Sequence, residues 1–166
     1  NVTPKNVMGY EKAVEWNGLI GAFGFIVTFS IAFYLAKLAK KHGAKMIHFA
    51  CLLFGAISFL WFPTIQNQYV FFAVIIGYGI AWASMMGIPY LMVVAVVPKE
   101  RYGVYMGIIN MMIVIPMIIQ NLSFGYILKN FLDNDPRQAI SFAGVLLMLA
   151  AICTLLIKIK NTKVSE

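Results

Sequence analysis

Six side chains have the chemistry to hold a polar, uncharged solute in an apolar setting: Tyr78, Trp82, Tyr90, Asn110, Gln120 and Asn121. Two of them fall in "AWASMMGIPY", residues 81–90, where an indole, a proline and a phenol interrupt a run fit to cross a membrane. At about 100° per residue, Tyr78, Trp82, Met85 and Pro89 share one helical face. Such a face can stack on the apolar side of a sugar ring, and a phenol adds a hydrogen bond. The carboxamide of Asn110 offers donors and an acceptor to a hydroxyl. Asn110 shares a drifting face with Gly103, Gly107 and Asn121, and Gln120 lies beside it. Helix packing and interhelical hydrogen bonding explain the same residues. Packing leads at Tyr78 and Met85, while the two readings stand level at Trp82, Tyr90 and Asn110.

Backbone breakers surround these groups. Pro89 frees the carbonyl of Met85 from its helical bond, and Pro116 is expected to kink its helix. Inside a bilayer such breaks are tolerated where protein or a watered cavity satisfies the freed group. Gly103 and Gly107, in "GVYMG", are spaced for close helix contact, as are Gly77, Gly79, Ala81, Ala83, Ser84 and Gly87. Pro89, Pro116, Gly103 and Gly107 are therefore the candidate structural or gating positions.

Other chemistry is missing. No Asp, Glu, Lys or Arg lies deep in an apolar run, and no metal cluster, phosphate loop or nucleophile–base pair is visible. These absences argue against an enzyme and against a bound cofactor. Glu15 and Trp16 read as interfacial, with an outer gate contact as the second reading. His48 stands near a helix end, where a lone His is more often hydrogen-bonded or lipid-headgroup-facing than a proton carrier. Cys51 and Cys153 lie in separate apolar runs and read as small buried hydrophobes.

The elements that must position these groups are membrane helices. The chain is 61% hydrophobic and only 11% charged, against about 25% charged in soluble domains. Five runs are long enough to span, at about 14–38, 44–62, 69–97, 102–128 and 139–157. None alternates with period two, so an all-α membrane protein is expected, not a barrel. The formal charge of +7 sits between apolar runs and implies orientation, not nucleic acid. Of the Lys and Arg residues, nine fall on one side of the five spans and four on the other. The nine lie in the first loop, the third loop and the tail, which positive-inside places in the cytoplasm. The N-terminus is then outside, yet the chain begins without Met and without a signal-peptide pattern. The chain is therefore expected to be the C-terminal part of a longer protein.

The stretch "GIAWASMMGIPYLMVVAVVPKERYGVYMGIINMMIVIPMII", 79–119, resembles the sucrose/maltose-type glycoside porters of the major facilitator superfamily. The resemblance rests on Gly79, Ala81, Trp82, Ala83, Pro89, Tyr90, Pro98, Arg101, Gly103, Tyr105, Met106, Gly107, Ile108, Asn110, Ile115 and Pro116. "LAKLAKKHGAK" looks like a reduced copy of that superfamily's basic loop, without its usual acidic residue. The resemblance implies the last five helices, eight to twelve, of a twelve-helix fold. It also implies secondary transport of a disaccharide or glycoside, coupled to a proton or to sodium, with the coupling carboxylate in the missing N-terminal half. The implied partners are a small sugar, the lipid bilayer and that missing half, in a plasma or bacterial inner membrane. A porter for an organic acid or nucleoside, and a non-transport scaffold subunit, are the alternatives.

Overall fold

The computed structural model describes residues 4–157. Five helices follow in order: α1 (Pro4–His42), α2 (Ala44–Trp61), α3 (Phe71–Val94), α4 (Tyr102–Phe131) and α5 (Pro136–Leu156). Each is long and apolar enough to cross a membrane. Spans and helices differ at their ends for a physical reason. An apolar run marks only what sits in lipid, whereas a helix continues through polar turns in water. Thus α1 begins at Pro4, ten residues before the apolar run, and ends at His42, four residues after it. Likewise α4 extends to Phe131, and α5 starts earlier than its run, at Pro136. There the Asp135 carboxylate accepts the Arg137 N–H at 2.8 Å, with Pro136 at the first helical position. The third run shortens to Phe71–Val94 because a 3-10 turn, Gln68–Val70, precedes it and turns follow it.

Four helices form the packed body. They lie in the order α1, α3, α2, α5, so chain neighbours are not always spatial neighbours. Gly43, at φ 90°, makes the sharp reversal between α1 and α2 that an L side chain resists. The α2–α3 seam is set by small residues. A Cβ on Gly55 would come within 2.5 Å of the Ala81 Cβ, and one on Gly77 would overlap the Ser58 hydroxyl. Across the same seam the His48 Nδ1 and the Ser84 Oγ lie 2.7 Å apart, both buried. In the parallel α1–α3 pair, the Thr28 hydroxyl donates to the Gly24 carbonyl at 2.9 Å and to the Gly79 carbonyl at 3.3 Å. At the far end of α5, the Lys45 ammonium donates to the Ile157 carbonyl at 2.7 Å. A cation there meets the negative end of the α5 dipole. It also fixes the α1–α2 connection and the end of α5 on one side of the bundle. The tail lysines used for orientation, Lys158, Lys160 and Lys163, lie outside the described residues.

The fourth helix is different. It has no buried residue and packs mainly against α3. Gly103 and Gly107 face open space, as does Gly87 on α3, so none of the three makes the close approach their spacing predicts. Close approach falls instead at Gly55 and Gly77 in the α2–α3 seam, at Gly79 against Val27 of α1, and at Gly144 of α5 against Phe59 and Leu60 of α2. Both α3 and α4 run unbroken through their prolines, Pro89 and Pro116.

Candidate functional site: an aromatic stack and a phenol–amide pair

Trp82 stands at the centre of α3, the element with the most small residues on its packed face. Buried Ala81, Ala83 and Ser84 let α2 come close and turn the indole away from the seam. Trp82 keeps 37% of its surface exposed, which leaves part of the residue open to a ligand. Its position is fixed from one side. The rings of Tyr78 and Trp82 lie 5.8 Å apart and 25° from parallel. Tyr78 in turn stacks on Phe59 of α2, at 5.7 Å and 15°. Phe59, Tyr78 and Trp82 thus form a ladder from α2 to the middle of α3. Tyr78 is flanked by two rings, so it supports Trp82 and offers a ligand only its edge and its hydroxyl.

The second constellation lies two turns further along α3. The Tyr90 hydroxyl donates to the Asn110 Oδ1 at 2.5 Å, joining α3 to α4. With that proton committed, the phenol oxygen still accepts and the Asn110 amide nitrogen still has two donors. A solute hydroxyl can both give and receive a proton at such a pair. Nearer the connection, the Tyr102 hydroxyl donates to the Val94 carbonyl at 3.3 Å. Tyr90 opposite Asn110 and Val94 opposite Tyr102 define an antiparallel register. Gln120 and Asn121 lie about three turns further along α4 than Asn110 and do not close on Trp82: every residue of α4 from 111 to 122 is exposed. The structure therefore joins Tyr78 to Trp82 and Tyr90 to Asn110, and leaves Gln120 and Asn121 across an open face.

A cavity of about 700 Å³ opens on the other side of the ladder, between the N-terminal half of α1 and the facing ends of α2 and α3. Tyr78 and Phe59 line it, together with Trp16, Asn17, Lys12 and Gln68. Trp16 is edge-on to Tyr69 at 5.6 Å and to Phe72 at 6.2 Å. From sequence, Trp16 reads as interfacial with an outer gate contact as the second reading, Lys12 counts only toward orientation, and Asn17 and Gln68 carry no role. The available signal was the spacing of Lys12, Trp16 and Ile20, one turn apart on one face of α1. Among the described residues, no cluster of three or more metal-ligating side chains occurs.

The model of the Major Facilitator Superfamily matches residues 2–121, from the start of α1 to the middle of α4. No curated protein and no solved structure matches the chain.

Proposed function

Since this chain belongs to the major facilitator superfamily, whose members are transporters of small solutes and not enzymes, we propose that it carries part of the path for a neutral glycoside. The solute is a disaccharide of the maltose or sucrose kind, taken up by symport with a proton or sodium. The observation that carries this reading is the pairing of an exposed mid-depth indole with a phenol–amide pair and no charge at either. None of the six acidic residues of the chain falls between residues 16 and 99 or between 101 and 132, and no Lys or Arg falls between 46 and 98 or between 102 and 128. A charged solute would leave its charge unpaired there, at a cost of several kcal/mol. A polyol needs only a flat apolar face and hydrogen-bonding groups, which Trp82 and the Tyr90–Asn110 pair supply.

The spacing supports a solute of two rings. Trp82 and Tyr90 are eight residues apart, or about 12 Å along the helix axis. One ring stacks on the indole while the second reaches the phenol–amide pair. In this reading the five helices are numbers eight to twelve of a twelve-helix carrier, with the tail in the cytoplasm. The coupling carboxylate lies in the other half, and the two halves rock about a central site. Gln120 and Asn121 complete the site when α4 closes on α3, with Pro89 and Pro116 as the points of yielding.

The test is uptake of radiolabelled maltose and sucrose by the full-length protein. Removing the stacking face or the amide costs about 1–3 kcal/mol, so Trp82→Ala and Asn110→Ala each lower uptake about fivefold or more. Membrane insertion, read by surface labelling, stays at the parent level. Unchanged uptake in both variants makes Trp82 and Asn110 packing residues and removes the proposal.

A further inference from the structure

The cavity beside α1 is not needed by the carrier site, because Tyr78 turns its stacked faces to Phe59 and Trp82. Its lining is ordered by depth. Lys12 and Gln68 lie toward the α2–α3 connection, whereas Tyr78, stacked on Phe59 from the last turn of α2, is the lining residue furthest along α3. Gln68 to Tyr78 is ten residues, or about 15 Å of helix. That is one leaflet of a bilayer whose hydrocarbon core is about 30 Å thick. The volume of about 700 Å³ is within the range of pockets that bury most of a ligand, about 300–1,000 Å³. Charge selects the headgroup. Lys12 is the charged side chain of the lining, and Glu11 and Glu15 stand on the same helix outside it. The connection 62–70 carries no charge of either sign. A lysine stem can lie along the apolar wall and hold its ammonium at headgroup level.

We propose that this cavity is a lipid site that takes one anionic phospholipid, its phosphate at Lys12 and an acyl chain against Phe59 and Tyr78. Asn17 and Gln68 donate hydrogen bonds to the ester and phosphate oxygens. The site stands apart from the sugar reading, since it needs only a membrane-spanning bundle with this geometry.

Trp16 reports on it directly. The full-length protein and its Trp16→Phe variant are placed in phosphatidylcholine vesicles containing increasing fractions of an acyl-brominated phospholipid. The difference in fluorescence quenching between the two proteins is the share of Trp16. Brominated phosphatidylglycerol is expected to reach half-maximal quenching of that share at a several-fold lower mole fraction than brominated phosphatidylcholine. Lys12→Gln, a change on an exposed side chain, abolishes the difference, and Lys12→Arg retains it. Equal quenching by the two headgroups means bulk lipid only and overturns the proposal. So does a headgroup preference that survives Lys12→Gln, or a Trp16 share that neither lipid quenches, which would mean another part of the protein fills the cavity.

Discussion

A tyrosine with rings stacked on it is a spacer, and a tyrosine that donates across to a neighbouring helix is a contact. Tyr78 is the first kind: Phe59 and Trp82 both lie within 5.8 Å of its centroid. Tyr90 is the second, with its proton given to Asn110. The distinction predicts different outcomes for one chemical change. Tyr90→Phe removes the bond to Asn110 and an acceptor for the solute, and is expected to raise KM for the transported sugar about five- to tenfold, as loss of about 1 kcal/mol of hydrogen bonding implies. Combined with Asn110→Ala, its effect is less than additive, because the two residues act as one unit. Additive losses in that double-mutant cycle, measured by initial uptake rates, would separate the pair. Part of this was legible beforehand. The residue types at 82, 90 and 110 pointed to stacking and hydrogen bonding, and packing already led at Tyr78. Which tyrosine met which partner was not legible, because it depends on where α2 and α4 lie against α3.

At the scale of elements, α3 is the organiser, and its seam with α2 is built by close approach. Gly77→Val introduces a branched side chain where the Ser58 hydroxyl sits. Overpacking of this kind costs about 1–3 kcal/mol. Ser84→Ala removes the interhelical bond to His48, and such bonds in membranes average about 0.6 kcal/mol. Unfolding of the full-length protein in mixed micelles by dodecyl sulfate should therefore rank Gly77→Val as clearly more destabilising than Ser84→Ala. The reverse order would make the buried polar pair, not close packing, the main tie between α2 and α3. Five apolar runs announced five helices because lipid leaves the backbone no alternative. Helix ends were less legible, since polar turns outside the bilayer carry no apolar signal, as in the first ten residues of α1. Small-residue spacing was an uneven guide. It was right at Gly77 and Gly79 and not at Gly87, Gly103 or Gly107, which face open space. A spacing states that contact is possible, and only the neighbouring helix decides whether contact is made.

For the whole molecule, the arrangement is a packed body of α1, α3, α2 and α5 with α4 standing off along an open face. Trp82, Met86 and residues 111–122 are all exposed. In a carrier that face is a solvent pocket, and in a passive anchor it is lipid contact. Everything proposed for Trp82 and Asn110 depends on which of these it is. The place of the indole at the centre of its helix was visible in the chain, but its surroundings were not, because period and composition cannot tell a watered wall from an oily one. Thiol labelling at this position, in a cysteine-free version of the full-length protein, distinguishes them most directly. A cysteine from Trp82→Cys is expected to react with a water-soluble, membrane-impermeant maleimide, and a transported disaccharide, at a concentration raised to offset the weaker binding of a site without the indole, should slow that reaction several-fold. One from Ser84→Cys, at a site with 0% exposure, should stay unreactive. Reaction at position 82 with a lipid-soluble maleimide alone, indifferent to sugar, would place the residue in oil and contradict the account.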